Sequence, residues 1–294
     1  MMEWNHLLTT YIIFLALFIV TKAEDGVTDN NSDLLTTTPA IDASLIAGNG
    51  LTSYKCKDDP SKRYVAPAKD CFDYFTLAIF WAPGYACKQK LRKVPIRKNI
   101  DPKWIIHGLW PSWSSGQEDP ACKRSDIFFN ENRFKNAKVL TPLPGDNNLH
   151  SVLMNTWYTI LEKPTKNFWE HEFNKHGNCA TRSSKIKDDV GYFQKTFDMY
   201  YKLNLGTTFS NARYRPGDTK KLSEIITVVN DRLKAKVKVD YTKEYVKKDN
   251  TWKAYLVEVS ICLDYDLKPI DCTNLSRQEN DGDLMITYPN SVPN

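Results

Sequence analysis

Between Phe168 and Cys179 the chain reads Phe-Trp-Glu-His-Glu-Phe-Asn-Lys-His-Gly-Asn-Cys, and no other segment restricts the fold so tightly. The aromatic spacing predicts a helix, on which Phe168, His171, Glu172, Lys175 and His176 fall at i, i+3, i+4, i+7 and i+8. Those positions share one face about 140° wide, the face that normally meets the core. Here it carries two imidazoles, a carboxylate and an ammonium. Burying four ionisable groups without partners is costly, so a fold must turn this stripe toward water or a charged ligand. The flanking Trp and Phe, with the terminal Gly-x-Cys, argue against a plain solvated face.

A further histidine lies in an equally aromatic stretch, Trp104-Ile-Ile-His107-Gly-Leu-Trp110-Pro111, read as a short strand stopped by Pro111. Phe72 to Trp81 (FDYFTLAIFW) is aromatic and β-branched, a buried strand ending at Ala82-Pro83-Gly84. Lys88 to Lys103 between them reads as a basic, Pro-punctuated loop. Helical periodicity follows at 148–163, 166–178, 188–204 and 221–236, and Thr251 to Asp264 alternates like a strand. Strands at both ends with helices between predict an α+β fold, a mainly antiparallel sheet packed with several helices.

The 294 residues allow one large or two modest domains, and 41% hydrophobic with 26% charged residues excludes wholesale disorder or a collagen-like repeat. A body of this size buries a core without covalent help, so seven cysteines speak for an oxidising compartment. Leu7 to Val20 is almost wholly apolar, yet at helical rise it spans roughly 21 Å, short of the roughly 30 Å of a bilayer core. With Thr21 and Ala23 behind it, residues 1–23 read as a cleaved signal peptide, although no Lys or Arg precedes Leu7. No later stretch is long and apolar enough to span a membrane. Residues 24–54 hold five acidic and no basic residues and read as a disordered acidic leader. From residue 55 to 294, 39 basic and 29 acidic residues leave +10, suited to a polyanionic ligand or simply to solubility. Asn30-Asn31-Ser32 and Asn274-Leu275-Ser276 are glycosylation sequons at Asn30 and Asn274.

His171 and His176 are one residue too far apart for the zinc-binding helix, so no metal site is expected. No Gly-x-Ser-x-Gly elbow supports a serine nucleophile, and Cys179 in an oxidising compartment is better read as bridged. Cofactor-free acid–base catalysis by imidazoles with a cationic helper remains. Transphosphorylation of RNA requires this set: a base for the 2′-hydroxyl, an acid for the departing 5′ oxygen, and positive charge for the phosphorane. Aromatic rings can stack on unpaired bases.

At these residues the chain resembles the ribonuclease T2 family of secreted and vacuolar endoribonucleases, which includes plant S-RNases. WIIHGLWP and FWEHEFNKHGNCA resemble its two signature segments, in order and separation, and the likeness extends more weakly from Tyr74 to Cys272. The resemblance implies an α+β fold and cleavage of single-stranded RNA through 2′,3′-cyclic phosphates to 3′-phosphates, with no action on DNA. By position, His107 and His176 match the catalytic pair, assigned as acid and base respectively in the first step. His171 matches a phosphate-binding histidine, Glu172 and Lys175 transition-state stabilisers, and Trp110 and Phe168 base-contacting aromatics. Ser112 stands where many members have Asp, Phe80 where a Gln is frequent, and Phe173 where Trp is usual. His150 matches nothing and reads as structural. The resemblance also implies Cys122–Cys179 and Cys262–Cys272 bridges. For the other three cysteines, Cys71–Cys87 is expected, with Cys56 in place of Cys71 the alternative. A secreted or lysosomal monomer acting on single-stranded RNA is expected; the rival reading is a secreted binding effector with incidental or lost activity, against which the intact acid–base set speaks.

Overall fold

The computed structural model describes residues 56–140 and 148–293. The expected signal peptide, the expected acidic leader and Asn30 lie outside the described residues. Seven strands form one sheet: β1 (Tyr74–Trp81), β2 (Trp104–Ser112), β3 (Thr219–Lys221), β4 (Lys238–Val246), β5 (Thr251–Leu263), β6 (Pro269–Ile270) and β7 (Met285–Thr287). The longest, β5, is central. It pairs antiparallel with β1 on one side and with β4 and β6 on the other, and parallel only with β7, which carries β3. β2 pairs with β1 alone among the strands and forms an edge. The mainly antiparallel α+β architecture is therefore the one expected.

The helices are α1 (Ala82–Leu91), α2 (Glu131–Lys135), α3 (Leu149–Thr156), α4 (Thr165–Glu172), a last α-turn α5 (Asn178–Ala180), α6 (Asp189–Leu203), α7 (Leu205–Asn211), α8 (Leu222–Leu233) and α9 (Ser276–Asn280). α6 starts where Asp188 accepts the Gly191 amide at 2.8 Å and ends at left-handed Asn204, whose side chain caps α7 by accepting from Thr207. Phe193, on the inner face of α6, packs on Phe134, Trp157 and Trp169 in the larger apolar core. A smaller core lies under α1, around Phe80, Tyr85, Ile105 and Val257.

Three elements depart from the sequence reading. Ala82-Pro83-Gly84, read as the end of a strand, opens α1, which runs on to Leu91 into the stretch read as a loop, because a proline in the first helical turn sacrifices no hydrogen bond. Pro111 does not stop β2; it faces Phe75 in the ladder, tolerated because β2 is an edge strand. The helix expected over 148–163 ends at Thr156, and Leu161 bridges to Ile96 in extended chain.

Candidate active site

The helix that opened the sequence reading is not uniform. Between α4 and α5, Phe173–Gly177 forms a π turn, so Lys175 and His176 sit in the wider i→i+5 coil. Residues five apart, such as His171 and His176, therefore come nearer one face than an ideal α-helix allows. Phe168, Trp169 and Phe173 anchor the outer side of the helix in the large core, with Trp169 Nε1 donating to the Trp157 carbonyl at 2.5 Å. Arg97 holds its start by donating to the Leu161 and Lys163 carbonyls and to Thr165 Oγ1. At its end, Asn178 donates to the Arg124 and Ile127 carbonyls, and Cys179 is bonded to Cys122.

His107 reaches this helix through a defect in the sheet. Ile106 pairs with Ile79 and Gly108 with Ala78, so His107 is an extra residue on β2, a β-bulge. Such bulges re-aim side chains, and this one turns the imidazole into the cluster. The His107 ring lies edge-on to Trp110 at 4.5 Å between centroids, and Trp110 lies 5.2 Å from the His176 ring. Trp110 Nε1 donates to Glu172 Oε2 at 3.0 Å, and Glu172 Oε1 is 3.8 Å from His107 Nε2. Glu172 is fully buried, while His107 and His176 are 1% and 7% exposed. Burial pushes the His107 imidazole well below its ordinary pKa, helped by the charges of His176, Lys175 and His171. Burial does the same to His176, with Lys175, His171 and Lys123 adding to it. Two imidazoles, a carboxylate and an ammonium thus converge from two elements, as general acid–base chemistry on a phosphate requires.

The other expected residues are placed less uniformly. Phe168 is only 1% exposed, its ring 6.2 Å from that of His107. It belongs to the large core, beside the imidazole. Ser112, half-buried at the end of β2, shares a hydrogen bond with Thr76 Oγ1 at 2.8 Å and donates to the Trp110 carbonyl. Phe80 packs on Tyr85 beside His107, and Phe173 is core. His150 lies edge-on to Trp169 and 3.4 Å from Glu131, a structural position. Asn274 is exposed at a left-handed turn.

Among the described residues, the group that could share a metal ion is Cys56, Cys71 and Cys122, all three held in disulfides. Cys262–Cys272 is bonded as expected, but the expected Cys71–Cys87 pair is not: Cys71 bonds Cys56, with Cα atoms 4.2 Å apart. Cys87 sits on α1 facing Glu244 of β4, a buried thiol pushed up to about 12 by burial and that carboxylate. Sequence reasoning missed Glu258 of β5, whose Oε2 lies 3.7 Å from His107 Nδ1. The signal was present: one carboxylate inside the apolar run Tyr-Leu-Val-Glu-Val-Ser-Ile-Cys-Leu.

Fold and site together place two imidazoles and a buried carboxylate on an α+β scaffold, the set of groups that acid–base chemistry on a phosphodiester uses. The ribonuclease T2 family profile matches residues 72–272, which spans both histidine segments. Ribonuclease Oy of Magallana gigas is 29% identical over 203 residues, covering 68% of this chain and 87% of its own. Ribonuclease S-6 of Pyrus pyrifolia is 29% identical over 210 residues, 70% of this chain and 82% of its own. In fold, the chain resembles trichomaglin, an S-like ribonuclease, with TM-score 0.54, 23% identity, and coverage of 76% of this chain and 100% of that one. Human RNase T2 matches with TM-score 0.53 and 20% identity over 74% of this chain and 99% of its own. The chain belongs to the ribonuclease T2 family and is an endoribonuclease of that type.

Proposed function

We propose that the enzyme cleaves single-stranded RNA by acid–base transphosphorylation that needs no metal. His176 takes the 2′-hydroxyl proton, the 2′ oxygen attacks phosphorus, and the P–O5′ bond breaks as His107 protonates the leaving oxygen. Water then opens the 2′,3′-cyclic phosphate to a 3′-phosphate with the two roles exchanged. Lys175 and His171 supply positive charge to the phosphorane oxygens, and Glu172 holds Trp110 against the pair. DNA, lacking the 2′-hydroxyl, is not a substrate. The observation that carries the reading is the convergence of His107, from the β2 bulge, and His176, from the π turn, on the Trp110 ring. Export through residues 1–23 to an extracellular or lysosomal compartment, glycosylation at Asn30 and Asn274, and a monomeric state belong to the same proposal.

Both imidazoles are held below their ordinary pKa, so above about pH 6.5 both are neutral and the acid is missing. At sufficiently low pH the base is protonated instead. The pH–rate profile should be a bell centred below about 6.5, unchanged by excess chelator. His107→Ala and His176→Ala should each lower kcat by about 10²–10⁴. Product analysis on single-stranded RNA checks this; loss of activity in chelator, restored by zinc, would refute it.

A further inference from the structure

Glu258 is an unusual residue for its position. It stands in the central strand, 5% exposed, flanked by buried Val257 and Val259. An ionised carboxylate so placed loses its hydration, a cost that needs a compensating charge or hydrogen bond. Its ladder partner on β4 is Asp240, and Ser260, Lys238 and His107 lie near its carboxylate. Ser260 Oγ donates to its Oε1. Lys238 of β4, whose ladder partner is Ser260, is close enough for the carboxylate to oppose the fall in pKa that burial imposes on the ammonium. His107 Nδ1 lies 3.7 Å from its Oε2.

The sheet is distorted at both ends of that last contact. Asp240 pairs with Glu258 and Tyr241 with Leu256, leaving Val257 as an extra residue on β5 beside Glu258. His107 is the extra residue on β2. The two bulged strands are separated by β1, where the registers place Ala78 beside Gly108 and Ser260, and Phe80 beside Ile105 and Glu258. His107 and Glu258 reach toward each other over β1, where Ala78 offers only a methyl group. The β1–β5 ladder through Glu258 is regular, so it is the His107 bulge that re-aims the imidazole toward the carboxylate, while the Val257 bulge lies beside Glu258 on its β4 side.

We propose that Glu258 is a positioning residue for His107: its carboxylate accepts a hydrogen bond from the Nδ1–H group, fixing the tautomer and ring orientation that present Nε2 to the substrate, and stabilises the imidazolium that donates to the 5′ oxygen. The logic is that of a carboxylate behind a catalytic imidazole, supplied from the far side of the intervening strand. On its Nε2 side His107 faces Glu172, and the charges of His171, Lys175 and His176 come from the catalytic helix. The Lys175 ammonium, joined by His171 and His176 whenever those rings are protonated, thus disfavours the imidazolium, and Glu258 is a charge that opposes it at Nδ1. The contact distance is that of an ion pair without a direct hydrogen bond, and tightens when the ring is protonated.

The proposal rests on the acid–base reading of His107, and its test separates the two. Glu258→Gln keeps shape and acceptor but removes charge. The alkaline limb of the pH–rate profile, where the acid loses its proton, should move about one unit toward lower pH. Above the optimum kcat should fall on the order of tenfold, with KM little changed and Tm near wild type. Glu258→Asp should restore part of the limb. An NMR titration of the His107 ring in the whole protein should show the same displacement, whether or not RNA is cleaved. If wild type fails to cleave RNA but the titration moves, the catalytic reading falls and the coupling stands. If the ring and the limb stay at wild-type values in Glu258→Gln, the proposal is overturned. Should that variant not fold, Ser260→Ala reads the same contact: a smaller shift in the same direction supports the proposal and no shift overturns it.

Discussion

At Gly108 a β-carbon would overlap both Glu172 Oε2 and Trp110 Nε1, the two atoms of the hydrogen bond that braces the imidazole pair. Glycine is thus required here by closeness of approach, one residue after the bulge. Gly108→Ala should push the indole and the carboxylate apart and forfeit a hydrogen bond to a buried charged group, worth about 1–3 kcal/mol. If that bond matters equally in the transition state, kcat falls roughly 10- to 100-fold. Steady-state kinetics beside a melting curve tests it; a variant with full activity would show that the brace is dispensable. At this scale much of the site was legible. His107, His171, Glu172, Lys175 and His176 announce themselves because charged groups interrupt aromatic runs. The burial of Phe168 was not legible, since an aromatic beside a histidine looks the same in sequence whether it faces solvent or core.

Among elements, the misread ones share a cause, dependence on neighbours. Pro111 continues β2 only because its missing N–H points off the sheet. α1 packs Gly84 so close to β5 that a β-carbon would meet the Leu256 carbonyl, a closeness that local propensity cannot reveal. The π turn is likewise invisible to a period of 3.6 residues, although its helix was found. By contrast α6 was readable from end to end, because its face and caps are local. Asp188 accepts the Gly191 amide and pairs with Arg133, which also binds Asp189. Asp188→Ala should cost about 0.5–2 kcal/mol through loss of the cap, seen as a lower urea midpoint at an unchanged slope. An unchanged midpoint would mean that Arg133 and water satisfy the helix start unaided. The basic stretch before β2 is partly committed within the fold. Lys88 is paired with Asp240 at 2.7 Å and Arg97 is spent on the start of α4, so neither is free to follow a phosphate chain.

For the molecule as a whole, the cysteine pattern ties the catalytic helix to the body. Cys122–Cys179 joins the loop beyond β2 to the end of that helix across 57 residues of sequence. In the chain-entropy description such a closure contributes about 4 kcal/mol. Replacing both residues by Ala should lower thermal stability by an amount of that order and loosen His176 relative to His107. kcat should then fall more steeply with temperature than in wild type; equal melting temperatures would contradict this. Six of the seven sulfurs are bonded, which leaves Cys87 as the one thiol in the chain. It is 1% exposed, and its high pKa keeps it protonated. An alkylating reagent can meet it only when α1 lifts away from the sheet. The enzyme therefore carries a native reporter of its own breathing: the labelling rate of Cys87 measures how often that flank opens, with no engineered probe.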